Sequence, residues 1–179
     1  PRCGTFYGER KMKPIYVLNG PNLNRLGTRE PAIYGTVTLA DVEAICRAAA
    51  GQHPLVFRQS NAEDEIVNAI HEAVDGGAGV VINPAGLSFT SIPILDALKM
   101  FSGPIVEVHL SNIHRREAHY QKSLVSLAAT AVICGLGSDV DPSPLIRKLE
   151  HLKFTGTIHP YSQFHQLAQA DYHTMTRVG

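Results

Sequence analysis

The sequence predicts an α/β fold in which a parallel sheet of five strands lies between two layers of helices. Short apolar runs suited to buried strands alternate with stretches whose apolar residues recur at helical spacing. Hydrophobic residues make up 44% of the 179 residues, so a core can form on both faces of the sheet. Five such units in one chain are typical of the flavodoxin-like, doubly wound, three-layer α/β/α arrangement.

The predicted strands are short apolar runs separated by turn residues. They cover Ile15–Asn19, Leu55–Gln59, Gly79–Asn83, Pro104–Ser111 and Thr130–Gly135. In a parallel sheet the carboxyl ends of all the strands lie on one edge, and ligands bind outside that edge.

The predicted helices follow the strands. The first runs from Thr38 to Ala50, and Thr38 and Asp41 have the spacing of a capping box. Its apolar face comprises Leu39, Val42, Ile45 and Cys46. Asn61 is suited to cap the second helix, and the third begins near Ser91. The inner face of the second comprises Ile66, Val67, Ile70 and Val74.

One domain is expected over residues 13–152, with a last helix that begins near Ser143. Residues 1–12 are expected to form a loose N-terminal tail. Residues 153–179 are polar and rich in histidine, tyrosine and glutamine, which predicts a C-terminal extension that is either an interface arm or disordered.

The overall composition excludes several classes of partner. Sixteen basic and sixteen acidic residues balance, so no nucleic-acid surface is expected and any anion site must be local. No apolar run approaches the ~18 residues of a membrane span, so no membrane role is expected. The three cysteines, Cys3, Cys46 and Cys134, are far apart and odd in number, which argues against disulfides and a zinc site and favours a reducing cytoplasm.

The loop after the first strand is unusually long. Its seventeen residues, GPNLNRLGTREPAIYGT, exceed the ~2–6 residues of an ordinary connector, so it is either a floppy insertion or part of a working site. Polar side chains also follow the other strands, and the fold would bring them to the same edge. They include Asn22, Arg29 and Tyr34 in this loop, Asn83 after the third strand, and Glu107, His109 and Ser111 in the fourth.

Two pairs of residues suggest proton transfer. Glu107 and His109 are two apart on a strand, so they point to the same side, and a carboxylate can fix the tautomer of an imidazole that acts as a general acid. Arg29 would stabilise the phenolate of Tyr34 and lower its pKa from about 10, which would make it a usable base. The alternatives are a solvated strand end and a solvated loop.

Motifs for cofactors and metals are incomplete. No GxGxxG follows the first strand, and HEAVD at His71 ends in Asp75 rather than in a second histidine. Neither a cofactor nor a metal is therefore expected.

Five segments together resemble the type II 3-dehydroquinate dehydratases. They are LNGPNLNRLGTREPAIYG, FRQSNAEDEIVNAIHEA, NPAGLSFTSIPILDAL, IVEVHLSNIHRRE and AVICGLG, in that family's order and spacing over residues 13–137. The resemblance implies a flavodoxin-like lyase without cofactor or metal, assembled as a dodecamer of four trimers. It implies reversible anti dehydration of 3-dehydroquinate to 3-dehydroshikimate through an enolate, in either aromatic amino acid biosynthesis by the shikimate pathway or quinate breakdown.

The resemblance also implies catalytic roles. Tyr34 matches the family's base, and Arg29 matches the arginine that activates it. Asn22 matches the asparagine that holds a water against the enolate oxygen. His109 matches the acid that protonates the leaving hydroxyl group, with Glu107 beside it.

Substrate-binding roles follow from the same resemblance. The backbone amides of Leu110 and Ser111 should bind the substrate carboxylate, and Asn83 should bind ring hydroxyls. Asp96 matches an acidic residue that reaches the site of a neighbouring subunit.

Two departures from the family pattern affect binding. Phe89 stands where many members have a substrate-contacting histidine, and Tyr120 lies where an arginine is usual. Tyr120 can still offer a hydroxyl, whereas a phenyl ring can only wall the pocket. An alternative is therefore a non-catalytic or altered-substrate paralog that binds a related cyclic polyol acid, but retention of both the acid and the base favours an enzyme.

Overall fold

The computed structural model describes residues 12–28 and 36–135, and within them all five strands form one parallel sheet. The strands are β1 (Ile15–Asn19), β2 (Leu55–Gln59), β3 (Gly79–Asn83), β4 (Ile105–His109) and β5 (Ala131–Cys134). Their order across the sheet is β2-β1-β3-β4-β5, and each neighbouring pair is parallel. The order confirms the predicted flavodoxin-like fold, in which the chain winds outwards in both directions from β1 and β3.

Three α-helices connect these strands. They are α1 (Leu39–Ala50), α2 (Glu63–Gly76) and α3 (Ile92–Lys99). The predicted capping box begins α1, because Thr38 accepts a hydrogen bond from the backbone of Asp41 while the Asp41 side chain accepts one from the backbone of Thr38. Ser91 caps α3 in a similar way, by accepting from the backbone N–H of Ile94 at 3.0 Å.

The core has two halves, one on each face of the sheet. Alternate strand residues such as Leu18 and Ile82 pack against α2 and α3, whereas Val17 and Val81 pack on the other face with Cys46 of α1. This division follows from the two-residue repeat of a strand, and it accounts for strands that are apolar at nearly every position.

Some predicted inner positions are wrong. Val74 is 37% exposed and Ile45 is 38% exposed, although both were expected to face the core. On α2 the buried positions are Ile66, Ala69, Ile70 and Ala73. The small alanines face the sheet, and Val74 falls at the edge of the buried stripe.

The predicted cap of α2 is also wrong. Ala62 is the N-cap residue and makes no side-chain cap, and its backbone N–H donates to Oγ of Ser60 at 2.9 Å. The side-chain oxygen of Asn61 instead accepts from the backbone N–H of Asn22 at 2.9 Å, so a contact between distant segments replaces the local cap.

Strand β4 is shorter than the predicted Pro104–Ser111, because Leu110 and Ser111 leave the sheet at its carboxyl edge. The predicted last helix near Ser143, the C-terminal extension and nearly all of the N-terminal tail lie outside the described residues. No helix among the residues described is both long enough and apolar enough to cross a membrane.

Candidate active site

A cavity of about 220 Å³ opens at the carboxyl edge of the sheet, where the sequence predicts the site. It is formed by the segments that follow β1, β3 and β4. Eight of its lining residues matter most for the chemistry: Asn22, Asn83, Phe89, His109, Leu110, Ser111, Arg116 and Tyr120. The structure thus brings together most of the predicted polar residues from distant parts of the chain.

The loop after β1 is held tightly against the loop after β3. The N–H of Gly20 donates to the carbonyl of Asn83 at 2.8 Å. A Cβ atom on Gly20 would lie only 2.3 Å from the carbonyl oxygen of Pro84, so no larger residue fits without moving the backbone. Glycine at this position therefore sets how closely the two cavity-forming loops approach.

Asn22 enters the cavity from a strained backbone. Its φ of 68° lies in the left-handed region, which asparagine tolerates better than most residues. The Asn61 side chain fixes this conformation through the hydrogen bond to the Asn22 backbone, and Nε2 of Gln59 braces both Asn61, at 3.1 Å, and the carbonyl of Gly20, at 3.2 Å. The side chain of Asn22 forms no hydrogen bond within the described residues, so its amide is available to a ligand.

Asn83, at the end of β3, is oriented by its own loop. Its Oδ1 accepts from the backbone N–H of Ala85 at 3.3 Å, where Ala85 has a φ of 52°. This bond uses the carbonyl end of the amide, and Nδ2 donates to no residue that the structure describes, so it is available to a ligand.

The centre of the site is a buried pair on β4. Glu107 is 0% exposed and His109 is 5% exposed. Nε2 of His109 lies 2.7 Å from Oε1 of Glu107. Oγ of Ser123 donates to the same oxygen at 2.5 Å, and Oγ of Ser126 donates to the other one. The carboxylate thus has three hydrogen-bond donors although no water-exposed surface remains.

These donors keep Glu107 ionised. Burial is the largest single influence and disfavours the charged form, but the hydrogen bonds from His109, Ser123 and Ser126 together outweigh it and hold the pKa of Glu107 below its ordinary value. An ionised carboxylate can only accept, so Nε2 of His109 carries the proton in this contact. Nδ1 of His109 has no partner among the described residues and is the ring nitrogen left for a ligand.

Next to His109 lies an aromatic wall, which consists of Phe89 and Tyr120. The Phe89 ring stacks on the imidazole with centroids 6.1 Å apart, and Tyr120 meets Phe89 edge-on at 5.3 Å. On the Tyr120 ring lies the guanidinium of Arg116, 3.9 Å from the centroid. The wall thus presents the phenyl ring of Phe89 and the phenol ring of Tyr120 to the cavity.

Arg116 is a site residue that the sequence analysis did not predict. It lines the cavity from the turn after the short helix Ile113–Arg115. No carboxylate pairs with it in the part of the chain that the structure describes. The signal was the basic pair Arg115 and Arg116, which follows the strand that carries His109.

Two predicted residues that the structure describes do not line the cavity: Glu107, which is fully buried and contacts the cavity residue His109, and Asp96. Asp96 lies on the outer side of α3, where its side chain is 65% exposed and lies 3.7 Å from Nζ of Lys99. Tyr34 and Arg29 lie outside the described residues. Among the residues described, no group of three or more His, Cys, Asp or Glu residues could hold a metal ion.

Comparisons with known proteins agree with this architecture. The family model for class II dehydroquinase matches residues 13–141. The 3-dehydroquinate dehydratase of Methylobacterium radiotolerans is 52% identical over 141 residues, which cover 78% of this chain and 94% of that protein. The 3-dehydroquinate dehydratase 2 of Agrobacterium fabrum is 58% identical over 129 residues, 70% of this chain and 87% of that protein.

The structural comparison gives the same result. The crystal structure of the type II dehydroquinase from Propionibacterium acnes superposes with a TM-score of 0.69 at 42% identity, covering 78% of this chain and 95% of that one. With a family match over most of the chain and relatives above 50% identity, the chain belongs to the class II dehydroquinase family.

Proposed function

We propose that the protein is a hydro-lyase that reversibly dehydrates 3-dehydroquinate to 3-dehydroshikimate through an enolate. The observation that carries the proposal is the buried Glu107–His109 pair at the edge of the cavity, 2.7 Å apart. A buried carboxylate is stable only when hydrogen bonds or an opposite charge satisfy it, and here the donors that satisfy Glu107 include the His109 ring, which Glu107 orients beside a ligand-sized space. Membership of the class II dehydroquinase family supports the same reaction.

His109 is the acid in this proposal. The elimination must expel hydroxide, which is a poor leaving group, so a proton has to reach the departing oxygen. An imidazolium whose Nε2–H is held by Glu107 can deliver a proton from Nδ1 without losing its counter-charge. Water then leaves, and Glu107 continues to fix the orientation of the neutral ring.

Tyr34 is the base, with Arg29 as its activator. The proton that it removes is alpha to a ketone and only weakly acidic, and a free tyrosine with a pKa near 10 is mostly protonated at neutral pH. Lowering that value by about two to three units takes roughly 3–4 kcal/mol, which a nearby guanidinium shielded from water can supply. The sequence puts Tyr34 and Arg29 in the same loop as Asn22, a cavity residue.

The remaining polar groups bind and stabilise. Asn22 offers an unused side-chain amide to hold a water against the developing enolate oxygen. The segment of Leu110 and Ser111, which lines the cavity after β4, offers backbone amides to the substrate carboxylate. The free donors of Asn83 are suited to ring hydroxyls.

The assembly that we propose is a dodecamer of four trimers, in which Asp96 reaches the site of a neighbouring subunit. Ile92 begins α3 and Met100 follows its last residue, and the two side chains are 60% and 55% exposed. Leu127, in the short helix that packs against α3, is 73% exposed. Apolar groups of this size are better covered than hydrated. Sedimentation of the wild type and of Met100→Glu would test this, and a monomeric wild type would rule it out.

One assay tests the activity. Pure protein is mixed with 3-dehydroquinate, and the ultraviolet absorbance of the conjugated enone product is followed. His109→Ala and Tyr34→Phe should each abolish turnover, whereas His71→Ala, a change at an exposed histidine on α2, should leave it unchanged. A folded wild type that forms no product at high concentration contradicts the proposal, and an active Tyr34→Phe variant contradicts the assignment of the base.

A second candidate is favoured by the aromatic wall. Phe89 cannot donate a hydrogen bond, so the protein could bind a related cyclic polyol acid without dehydrating 3-dehydroquinate. This second function would be favoured if calorimetry shows that the protein binds such an acid and the absorbance assay shows no turnover of 3-dehydroquinate. Whether the reaction serves aromatic biosynthesis or quinate breakdown does not change the chemistry.

A further inference from the structure

The two sides of the cavity differ in their capacity to hydrogen-bond. On one side, Asn22 and Asn83 present side-chain amides that no described residue saturates. On the other side lies the aromatic wall, in which Phe89 has no donor or acceptor at all. A ring hydroxyl that faces Phe89 therefore finds no hydrogen-bonding partner in that side chain, unlike one that faces Asn83.

The aromatic wall is held in place by contacts on both of its flanks. Phe89 lies nearly parallel to the His109 ring, at an interplanar angle of 24°, and Tyr120 meets Phe89 at 85°. The Arg116 guanidinium covers a face of Tyr120, and His119 lies against the same ring with centroids 4.1 Å apart. Rings packed in this way are not readily displaced to admit a bridging water.

The wall retains one neutral polar group. The Tyr120 hydroxyl has no hydrogen-bond partner within the described residues, so it can donate to or accept from a ligand. A single rotatable hydroxyl discriminates less than a charged group held in fixed geometry. The Tyr120 hydroxyl therefore adds one hydrogen-bonding group beside Phe89, whose own surface remains apolar.

Such a wall has a predictable effect on specificity. When a buried side chain hydrogen-bonds a substrate hydroxyl, an analogue that lacks this hydroxyl has a kcat/KM roughly 10⁴- to 10⁵-fold lower, because the side chain is left without a partner. Phe89 leaves no such unpaired group, and the Tyr120 hydroxyl is not among the buried unpartnered atoms, so water can satisfy it. An apolar pocket discriminates against a missing or added small group by only about 10- to 200-fold.

We propose that the aromatic wall makes this site accept cyclic 3-oxo acids that lack a hydroxyl group on the ring carbon facing Phe89 and Tyr120. The inference rests on the proposed dehydration and extends its substrate class. The chemistry is unaffected, because the elimination removes the hydroxyl on C1 and a proton on C2, while the two other hydroxyls, on C4 and C5, stay on the ring.

The test compares three substrates with the full-length protein: 3-dehydroquinate and its 4-deoxy and 5-deoxy analogues. For one analogue, kcat/KM should stay within about tenfold of the parent value, whereas the other, whose missing hydroxyl faces Asn83, should lose about 10³-fold or more. If both analogues lose more than about 10³-fold, the proposal is wrong.

Two variants locate the effect. Phe89→Leu keeps an apolar surface and should keep the tolerance. Phe89→His adds a hydrogen-bonding group and should lower kcat/KM for the tolerated analogue relative to 3-dehydroquinate by at least about tenfold. Equal ratios in the wild type and in Phe89→His would overturn the role of the wall.

Binding separates this inference from the proposed activity. Should the wild type not dehydrate 3-dehydroquinate, the activity proposal fails, and the wall is judged by calorimetry with quinate, 4-deoxyquinate and 5-deoxyquinate, which lack the ketone. One deoxy acid that binds within about tenfold of quinate supports the proposal, and loss of binding by both contradicts it.

Discussion

Glu107→Gln is the most informative single change, because it removes a charge and retains the shape. A glutamine can still accept the hydrogen bond from Nε2 of His109 through its Oε1. Its amide would face Ser126, whose hydroxyl can reverse and accept, so the fold should survive. What disappears is the negative charge 2.7 Å from the imidazole nitrogen.

The size of the loss follows from the geometry. Both charges are delocalised, so their centres are roughly 4 Å apart, and two unit charges at that distance interact by about 4 kcal/mol at an effective dielectric constant of about 20. A neutral acceptor keeps about 1 kcal/mol of this through its hydrogen bond. The protonated ring thus loses about 2–3 kcal/mol of support. A more acidic ring transfers its proton more readily, which recovers part of the loss, so we expect kcat to fall about 10- to 100-fold.

The assay measures kcat and kcat/KM for the wild type and for Glu107→Gln at neutral pH. Glu43→Gln serves as the control, because Glu43 forms an exposed ion pair with Arg47. Its replacement should leave kcat unchanged and alter the free energy of unfolding by less than about 0.5 kcal/mol. A folded Glu107→Gln enzyme with kcat within threefold of wild type would refute the reasoning.

Three further predictions concern stability and positioning. Because the pKa of Glu107 is lowered in the folded state, its ionisation stabilises the fold at pH values above the unfolded pKa of about 4.3, and this stabilisation is lost as the pH falls below that value. The free energy of unfolding in urea should therefore depend less on acid pH in Glu107→Gln than in the wild type, and parallel curves would contradict this. Gly20→Ala should lower the free energy of unfolding by about 3 kcal/mol, because the added Cβ would lie 2.3 Å from a carbonyl oxygen. Gly76→Ala should not lower it, because no atom lies within 4 Å of the added Cβ, and equal effects of the two changes in urea titrations would contradict this prediction. Asn61→Ala should lower kcat/KM about five- to tenfold with a normal far-ultraviolet spectrum, since it frees the backbone of Asn22, and unchanged kinetics would show that this bond is dispensable.

The elements of the fold that depend on local pattern were predictable. The strand Gly79–Asn83 and the capping box of Thr38 each depend only on residues that are close in the sequence, and the structure confirms both. Convergence at the carboxyl edge follows from the topology of a parallel sheet, and Asn83 and His109 both line the cavity there.

Contacts between distant segments could not be predicted from pattern. Asn61 has the residue type and position expected of a helix N-cap, but its side chain accepts a hydrogen bond from Asn22 in the loop after β1 instead. Ser126 is an ordinary turn residue in the sequence, and only the packing of its short helix brings it to Glu107. For the same reason, the contact between Phe89 and Tyr120 could not be foreseen from two separate substitutions.

The placement of these groups separates chemistry from specificity. Glu107 and His109 lie on a strand inside the core, and replacing His109 with a residue that cannot donate a hydrogen bond would remove a partner from the buried Glu107 carboxylate, which costs about 3–5 kcal/mol of stability. Phe89 and Tyr120 lie in short 3₁₀ segments at the edge of the sheet, where a change of side chain alters the cavity surface without breaking the sheet. The wall can therefore change while the acid pair is kept. A protein of this design should lose or alter its substrate preference more readily than its capacity to transfer a proton.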